Sequence, residues 1–450
     1  MRVTGIDIGT TSICAVVVES ETGVVTDSLN VRNEALLSVC NPWECLQDPD
    51  LILTQVRHLL ENCIEKHAPI AGIGLTGQMH GILYLDRNGR AVSPLYTWQD
   101  GRGDLPYRDE KSYAQALSDL SGHHLATGYG SVTHYYNVIN GLVPEDAVVF
   151  CPIHDYIALS LAGRETPLIH ASDAAGLGLF DLRKGEFDVA VTRAAGMSPE
   201  MFPQVAKRNI VLGHTAAGIP VAIAVGDNQA SFAGSVATDR GDILVNIGTG
   251  GQISVFSTEP SAGTALETRP FDDGTYLLVG SSLCGGRALA LLEEFFRRIV
   301  RAAGYECADM YPLINSLAEK FADLDNELKI NTAFCGTRED PSLRGAITNL
   351  GTDNFTPEHF VAATLWGIVD ELYDKYASEP SARSLRSVVA SGNGVRKNPV
   401  LRRMLEMKFG TTVEIPLHRE EASYGAALFA MATIGVYPDL DAARRIIKYS

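Results

Sequence analysis

Residues 219–252 read IPVAIAVGDNQASFAGSVATDRGDILVNIGTGGQ, and this stretch decides the expected fold. The apolar residues 219–225 predict a buried strand that ends at Gly226, and the small residues 230–237 predict a helix directly after it. Asp227 is therefore expected at a strand-to-helix corner. A carboxylate at such a corner lies beside a helix N-terminus and can point into a cleft.

A second strand is predicted at 243–247, and it runs into a turn that contains Gly248, Thr249 and Gly250. Because this turn carries no bulky side chain, its backbone N–H groups can lie against a phosphate. The stretch thus supplies both a candidate proton acceptor, Asp227, and a candidate phosphate-binding turn.

The N-terminus repeats the second half of this pattern. Residues 5–12, GIDIGTTS, again predict a strand and a Gly-Thr turn, and residues 13–18 predict a further strand. A similarity across half the chain indicates two like domains that face each other, residues 1–238 and residues 239–450. Two ordinary tight hairpins are the alternative explanation, since Gly-Thr turns are common.

The first turn supplies Gly9, Thr10 and Thr11 as further candidates for phosphate contact. Asp7, at the end of the preceding strand, could organise Mg²⁺ through water, as oxygen-rich magnesium sites do. The alternative is that Asp7 only stabilises the turn.

Length and composition limit the class of protein. With 450 residues, 46% of them hydrophobic and 20% charged, the chain is expected to form two large globular domains. A net charge of −17 argues against a nucleic-acid partner, and an anionic substrate must be held by local dipoles, a metal and a few cations.

The eight cysteines lack zinc-binding spacing, and several lie in apolar runs. With no apparent signal peptide or membrane-length apolar run, we expect a cytoplasmic protein without a membrane partner.

Several familiar nucleotide-binding patterns are absent or misleading. Gly72, Gly74 and Gly77 have the dinucleotide-binding spacing, but residues 82–85 continue as a strand where that motif requires a helix, so a Rossmann site is excluded. The sequence also lacks a P-loop and the motifs of protein kinases.

Residues 97–102 and 126–130 mix aromatic and polar side chains in a way that suits a sugar. The alternative is that Trp98 anchors the core and that Asp100 and Arg102 form a local ion pair. Asp155 precedes a predicted helix at 156–161, so a helix-capping role is the alternative to a binding role. A helix at 51–66, capped by Asp50, is also predicted.

In the C-terminal part, Gly286 opens a predicted helix, and a glycine turn at 391–394 follows a predicted strand. Such turns at the carboxyl ends of strands are where an open α/β sheet binds ligands, and we expect an adenosine to lie there. With two opposed phosphate turns, Asp227 would accept the proton of a substrate hydroxyl as that hydroxyl attacks a γ-phosphorus.

These blocks together resemble the FGGY carbohydrate kinases of the actin/hexokinase-like superfamily, on residues 5–12, 226–230, 246–250 and 391–398. The resemblance implies an α/β fold of two ribonuclease H-like domains, with ATP, Mg²⁺ and a sugar in the cleft between them. By position it implies nucleotide contacts for Thr10, Thr11, Thr249, Gly286, Gly394 and Asn398, and a sugar pocket lined by Gln78, Met79, His80, Trp98, Asp155, Asp227 and Asn228.

Within the family, the sequence Gln-Met-His-Gly at 78–81 resembles that of ketose kinases, where glycerol kinases carry Arg-Glu. Residues 97–102, 126–130 and 153–156 resemble the sedoheptulose kinases in particular. The implied activity is ATP-dependent phosphorylation of a terminal hydroxyl of sedoheptulose, with D-xylulose or another pentulose as the alternative. A catalytically silent sugar or nucleotide sensor is the alternative of another class. The second family signature is approximate, with Asn349 where glycine is usual, and a homodimer is compatible with the sequence but not fixed by it.

Overall fold

The computed structural model describes residues 1–238, 241–261, 266–306, 309–320, 324, 327–337, 340, 342–379 and 385–450. The chain divides into two compact units, each of which is described by itself. Unit 1 comprises Met1–Ala237, Pro270–Thr275 and His418–Ile447, and unit 2 comprises Thr238–Arg269, Tyr276–Leu417 and Lys448–Ser450. The boundary at residue 238, which the repeated strand and Gly-Thr turn predict, differs from this division because it places residues 270–275 and 418–447 in the second domain.

The main strands are β1 (Arg2–Ile8), β2 (Ser12–Glu19), β3 (Val25–Arg32), β4 (Ile70–Gly77), β5 (Val211–His214), β6 (Pro220–Ala222), β7 (Val225–Gly226), β8 (Asp242–Ile247), β9 (Gly251–Ser257), β10 (Glu267–Pro270), β11 (Tyr276–Ser282), β12 (Ser387–Ser391) and β13 (Val413–Glu414). The main helices are α1 (Pro49–His67), α2 (Ile153–Leu161), α3 (Ala171–Leu177), α4 (Asp227–Ser235), α5 (Gly286–Ala302), α6 (Pro357–Ala377), α7 (Pro399–Phe409) and α8 (Glu421–Thr433).

Shorter strands and helices connect these elements. The strands are Leu46–Gln47, Leu83–Leu85, Leu95–Tyr96, Pro106–Arg108, Lys111–Ser112, Val149–Cys151, Leu168–Ile169, Phe180–Asp181, Glu186–Phe187, Gln204–Val205, Lys329–Asn331 and Ala346–Thr348. The helices are Gly101–Asp104, Tyr113–Ser121, Gly130–Ile139, Val189–Ala194, Pro199–Met201, Tyr311–Ala318, Asn393–Lys397 and Leu440–Arg444.

Unit 1 is built on a seven-stranded sheet in the order β5-β6-β4-β1-β2-β3, with β7 also paired to β4. Strands β1, β2 and β3 form an antiparallel meander, whereas β4 runs parallel to β1. In this register Ile8 lies opposite Gly77, and Gly77 lies opposite Gly226, so three strands end at the same edge. The residues that follow them, the first Gly-Thr turn, Gln78 and Asp227, are thereby brought to one place.

Unit 2 has a six-stranded sheet in the order β10-β11-β9-β8-β12-β13. Strands β8 and β9 form the second hairpin, and β12 runs parallel to β8 with Ser391 opposite Asn246. The turn at 248–250 and the turn after β12 therefore lie at one edge of this sheet, as the corresponding turns do in unit 1.

Helix α8 lies against the sheet and against α4 with almost no side chains between the backbones. A Cβ added to Gly5 of β1 would lie 1.8 Å from the Ser423 carbonyl oxygen, and one added to Gly74 of β4 would lie 1.9 Å from the Ala426 carbonyl oxygen. Added at Gly425, it would lie 1.8 Å from the Ala230 carbonyl oxygen of α4. Glycine is required at these positions because any Cβ would force the backbones apart.

Two local predictions were wrong in detail. Helix α1 is capped by Asp48, whose side chain accepts hydrogen bonds from the N–H groups of Asp50 and Leu51, so Asp50 is not the cap. The predicted single strand at 219–225 is divided into β6 and β7.

The strand expected after Gly77 is confirmed. Gly77 leads through a loop to the strand Leu83–Leu85 and not to a helix, as the rejection of a dinucleotide motif required. Asn349 has a φ of +57°, a left-handed conformation that asparagine tolerates better than most residues other than glycine, which accounts for its place in the family signature. Among the helices described, none combines the length and apolar character that a bilayer span needs.

Replacing Gly425 by alanine is expected to destabilise unit 1 by about 3 kcal/mol, the upper end of the usual cost of overpacking, because α8 and α4 must separate. Gly122→Ala is the control, since its φ of +70° is unfavourable for alanine but no atom lies within 4 Å of the added Cβ. That change should cost about 1 kcal/mol. Urea unfolding followed by circular dichroism measures both, and equal losses would contradict the packing argument.

Candidate functional site

Asp227 is the first residue of α4, at the corner where β7 ends. The backbone N–H of Gly226 donates to Ser172 Oγ at 3.0 Å, which ties this corner to the start of α3. The Asp227 side chain is partly buried. The sequence-based prediction of a strand-to-helix corner at this carboxylate is therefore confirmed as local structure.

Carboxylates are crowded around Asp7 at the same edge of unit 1. Burial, together with the negative charges of Asp227 and Glu420, raises the pKa of Asp7 to about 7, and the positive charge of His154 partly opposes this shift. Mutual repulsion of this kind is relieved by a divalent cation, and carboxylate oxygens are the ligands that Mg²⁺ prefers. The acidic surroundings of Asp7 therefore suit the magnesium ion expected from the sequence.

His154 lies in α2 within a second group of buried acids. Its Nε2 is 2.9 Å from Asp173 Oδ1 and 3.7 Å from Asp155 Oδ2, and all three side chains are almost fully buried. Burial alone would lower the pKa of His154, but the carboxylates of Asp173, Asp155 and Asp227 raise it to about 9. The imidazolium is thus the buried cation that balances this acidic edge.

Asp155 is not a helix cap, because α2 begins at Ile153 with Pro152 in the capping position. Burial and the neighbouring charge of Asp173 raise the pKa of Asp155 well above its usual range. With His154 and Asp173 it presents three ligand atoms within 4.8 Å of one another, a donor set that a metal ion could accept. The buried ion pair also accounts for this arrangement without a metal.

Gln78, Met79 and His80 follow β4 directly. Met79 packs against Gly226, where an added Cβ would lie 2.7 Å from the Met79 sulfur. His80 has a φ of +72°, donates from Nδ1 to the Gly176 carbonyl oxygen at 2.6 Å and stacks on Tyr129. The ring is therefore held in one orientation beside the corner that carries Asp227.

Trp98 is 44% exposed, so the alternative that it anchors the core is wrong. Its Nε1 donates to Thr10 Oγ1 at 2.9 Å. The other half of that alternative is correct, because Arg102 and Asp100 form a buried ion pair at 2.6 Å. An exposed indole next to the first Gly-Thr turn can cover the apolar side of a ligand.

Asn228 is 5% exposed, and neither atom of its side-chain amide has a hydrogen-bond partner among the described residues. The same holds for both carboxylate oxygens of Asp155. Buried polar groups without partners are costly, and a polar ligand that pairs with them regains that free energy. These two predicted site residues therefore have the hydrogen-bonding capacity that a polyhydroxylated molecule needs.

In unit 2, the turn that contains Gly248, Thr249 and Gly250 packs against the start of α5. The N–H groups of Gly286 and Arg287 donate to the carbonyl oxygens of Gly248 and Thr249 at 2.9 and 3.0 Å. A Cβ added to Gly286 would lie 2.6 Å from the Gly248 oxygen, so the two segments touch through their backbones. The Thr249 side chain is exposed at the tip.

The glycine turn after β12 lies at the same edge of unit 2. An added Cβ at Gly394 would lie 2.7 Å from the Ile247 carbonyl oxygen. Asn398 caps α7 by accepting from the Leu401 N–H at 3.0 Å, whereas its buried Nδ2 has no partner within the described part of the chain. Unit 2 thus gathers three backbone-lined segments, two of which begin helices.

Sequence reasoning missed three charged residues of unit 1: His154, Asp173 and Glu420. Only the fold brings them to Asp7 and Asp227, since they come from three elements far apart in the chain. A weak signal existed in the adjacent pair His154-Asp155. The residues around Asp173 are small, and nothing in this segment indicated that the Asp173 carboxylate belongs to the site.

An acidic edge in unit 1 that suits a metal ion and a glycine-lined edge in unit 2 that suits phosphates are features that a phosphotransferase uses. Family models for the FGGY family of carbohydrate kinases match the chain, the N-terminal domain over residues 2–234 and the C-terminal domain over residues 243–434. The chain belongs to the FGGY family of carbohydrate kinases.

Individual relatives agree with this assignment. The chain is 27% identical to the sedoheptulokinase of Mus musculus, over 94% of this chain and 96% of that protein. In fold it resembles a xylulose kinase from Brucella ovis, with a TM-score of 0.84 at 20% identity, over 100% of this chain and 94% of that one. It also resembles the glycerol kinase of Plasmodium falciparum solved with ADP, with a TM-score of 0.82 at 20% identity, over 98% and 91% of the chains.

The ion pairs of His154 predict a pH-dependent stability. Its pKa in the folded protein, about 9, lies above the ordinary value of 6.5, so its stabilising contribution is complete below pH 6.5 and is lost as the pH rises through 9. Relative to His154→Gln, the unfolding free energy of the wild type should fall by about 3 kcal/mol across this window, at about 1.4 kcal/mol per pKa unit. Urea unfolding at both ends of the window tests this, and parallel pH profiles for the two proteins would contradict it.

Proposed function

We propose that this kinase transfers the γ-phosphoryl group of ATP to a terminal hydroxyl of a ketose, with sedoheptulose as the preferred substrate. The observation that carries the proposal is the arrangement at one edge of unit 1. There Asp227 begins a helix beside Asp7, next to buried polar groups that have hydrogen-bonding capacity to spare.

Asp227 is the proposed general base. It accepts the proton of the attacking hydroxyl, a contribution of about 10²–10⁴-fold in typical enzymes. Burial and the negative charges of Asp227 and Glu420 raise the pKa of Asp7, and the positive charge of His154 partly opposes this shift. The rest of the rate enhancement comes from positioning and charge neutralisation.

Asp7 is the proposed residue for Mg²⁺, held directly or through water. When bound, the ion neutralises the charge of the phosphates that are transferred and released. The carboxylates around Asp7 supply the negative potential that attracts the ion, and its binding favours the ionised form of Asp7.

The nucleotide contacts are proposed for two sets of turns. Gly9, Thr10 and Thr11 of unit 1, with Gly248, Thr249 and Gly250 of unit 2, offer backbone N–H groups and hydroxyls to the phosphates. Gly286, Gly394 and Asn398 are the proposed adenosine contacts, supported by their common edge in unit 2 and by Asn398 Nδ2, which has no partner among the described residues.

The sugar contacts are proposed for Gln78, Met79, His80, Trp98, Asp155 and Asn228. Two of these carry unpaired buried polar atoms, His80 is held by Gly176, and Trp98 offers an aromatic face. A ketose with several hydroxyls uses more of this capacity than glycerol does. The mouse sedoheptulokinase relative supports a seven-carbon substrate, and D-xylulose is the second candidate, supported by the xylulose kinase fold.

Asp227→Asn should lower kcat by about 10²–10⁴-fold, because the amide keeps the shape of the side chain but cannot accept the proton. Affinity for ATP should stay within about twofold of the wild type, since the base does not hold the nucleotide. Coupled ADP-release kinetics and calorimetric binding of a non-hydrolysable ATP analogue measure the two effects. Asp119→Asn, at an exposed aspartate paired with Lys111, is the matched control and should change neither value. Undiminished turnover of Asp227→Asn would contradict the proposed role of Asp227 as the general base.

A panel of sedoheptulose, D-xylulose, ribulose, fructose and glycerol tests the substrate assignment. We expect kcat/KM to be highest for sedoheptulose and lowest for glycerol, because an analogue that lacks hydroxyls leaves buried polar groups unpaired. ADP release with each sugar, checked against ATP hydrolysis without sugar, gives the ranking. If kcat/KM is higher for D-xylulose than for sedoheptulose, D-xylulose becomes the preferred substrate. Tight ATP binding without turnover of any sugar would favour a sensor.

A further inference from the structure

Gln47 connects the two predicted ligand-binding regions of unit 1. It lies in the short strand Leu46–Gln47, and its side chain is 1% exposed. Its Nε2 donates to the Thr10 carbonyl oxygen at 2.9 Å, and its Oε1 accepts from Gln78 Nε2 at 2.8 Å. One amide therefore holds the backbone of the phosphate turn and the side chain of a proposed sugar contact.

Thr10 and Gln78 also contact each other directly, which closes a ring of hydrogen bonds. Thr10 Oγ1 donates to Gln78 Oε1 at 3.2 Å and accepts from Trp98 Nε1 at 2.9 Å. Both amide atoms of Gln47 and both of Gln78 are thus paired inside this ring. A buried polar network in which each of these amide atoms has a partner favours one arrangement of its members.

We propose that Gln47 is a positioning residue that couples nucleotide binding to sugar binding. The proposal rests on the proposed function of Thr10 and Gln78. The single proton of the Thr10 hydroxyl is donated to Gln78, so this hydroxyl can donate to a phosphate only by leaving Gln78. Gln78 Oε1 then becomes available to accept a hydrogen bond from a sugar hydroxyl. Gln47 meanwhile keeps both the turn and the Gln78 amide in place.

The chemistry of the position favours glutamine. A donor is needed for the Thr10 carbonyl oxygen and an acceptor for the Gln78 amide, and a side-chain amide offers both from two atoms bonded to the same carbon. Methionine has the length but lacks both functions, and asparagine has both functions but is one methylene shorter. Neither can bridge the two partners at their present separation.

Coupling of this kind is reciprocal: if ATP tightens sugar binding by some factor, the sugar tightens ATP binding by the same factor. A residue that only supports the fold would alter stability and leave this factor unchanged. The coupling factor, measured as the ratio of sugar Kd values without and with a saturating ATP analogue, therefore separates positioning from support.

The experiment compares the wild type with Gln47→Met, Gln47→Asn and the control Gln55→Leu. Gln55 also donates from its amide to a backbone carbonyl oxygen, that of Arg32 at 2.9 Å, but lies in α1. We expect both Gln47 variants to weaken binding of a non-hydrolysable ATP analogue by about tenfold, the usual consequence of losing a buried hydrogen bond. The coupling factor should fall towards one, and KM for the sugar should rise more than kcat falls. Gln55→Leu should change none of these.

Wild-type affinities in both Gln47 variants, or a coupling factor of one in the wild type, would overturn the proposal. Lower thermal midpoints with unaltered ligand binding would do the same, because they would assign Gln47 to support alone. Gln47→Asn retains the amide and guards against a Gln47→Met variant that does not fold. If the wild type binds the ATP analogue but phosphorylates no sugar, the proposed function fails, and the ATP affinities of the Gln47 variants still decide whether this residue positions the phosphate turn.

Discussion

The backbone contact made by α8 is the constraint on which unit 1 depends. Gly5 of β1 and Gly74 of β4 let the helix lie directly on the sheet, and Gly425 lets α4 lie directly on the helix. Side chains of any size at these positions would move α4 outward by the width of a methyl group or more. Since Asp227 is the first residue of α4, the position of the proposed base depends on the glycines at which α8 packs against the sheet and against α4.

Charge balance is the second determinant of the site. Several carboxylates at one edge would be protonated or would repel one another unless a cation were present. His154 supplies one positive charge from within the protein, and Mg²⁺ is the proposed second. A net charge of −17 makes such local compensation necessary, because the protein as a whole repels a triphosphate.

Patterns that are local in the sequence predicted much of this molecule. The two hairpins, the corner at Asp227 and the glycine turns were expected because each is encoded by a few consecutive residues. The glycines at 72, 74 and 77 show where such reasoning needs the fold. Their spacing imitates a dinucleotide motif, yet the structure explains Gly74 by the approach of α8 and Gly77 by the nearby Ile8 carbonyl oxygen and His154. His154, Asp173 and Gln47 act through partners distant in sequence, and no local pattern predicts them.

The placement of α8 in unit 1 has a consequence for biosynthesis. Strands β1 and β4 are translated early, but the helix that covers Gly5 and Gly74 leaves the ribosome only after nearly all of unit 2 has been made. Until then, one face of the first sheet lacks its native cover, and apolar side chains there are open to chaperones or to wrong partners. Unit 1 begins to be synthesised first but cannot be completed until most of unit 2 has been made, and the rate of translation through residues 238–417 sets how long its unfinished surface persists.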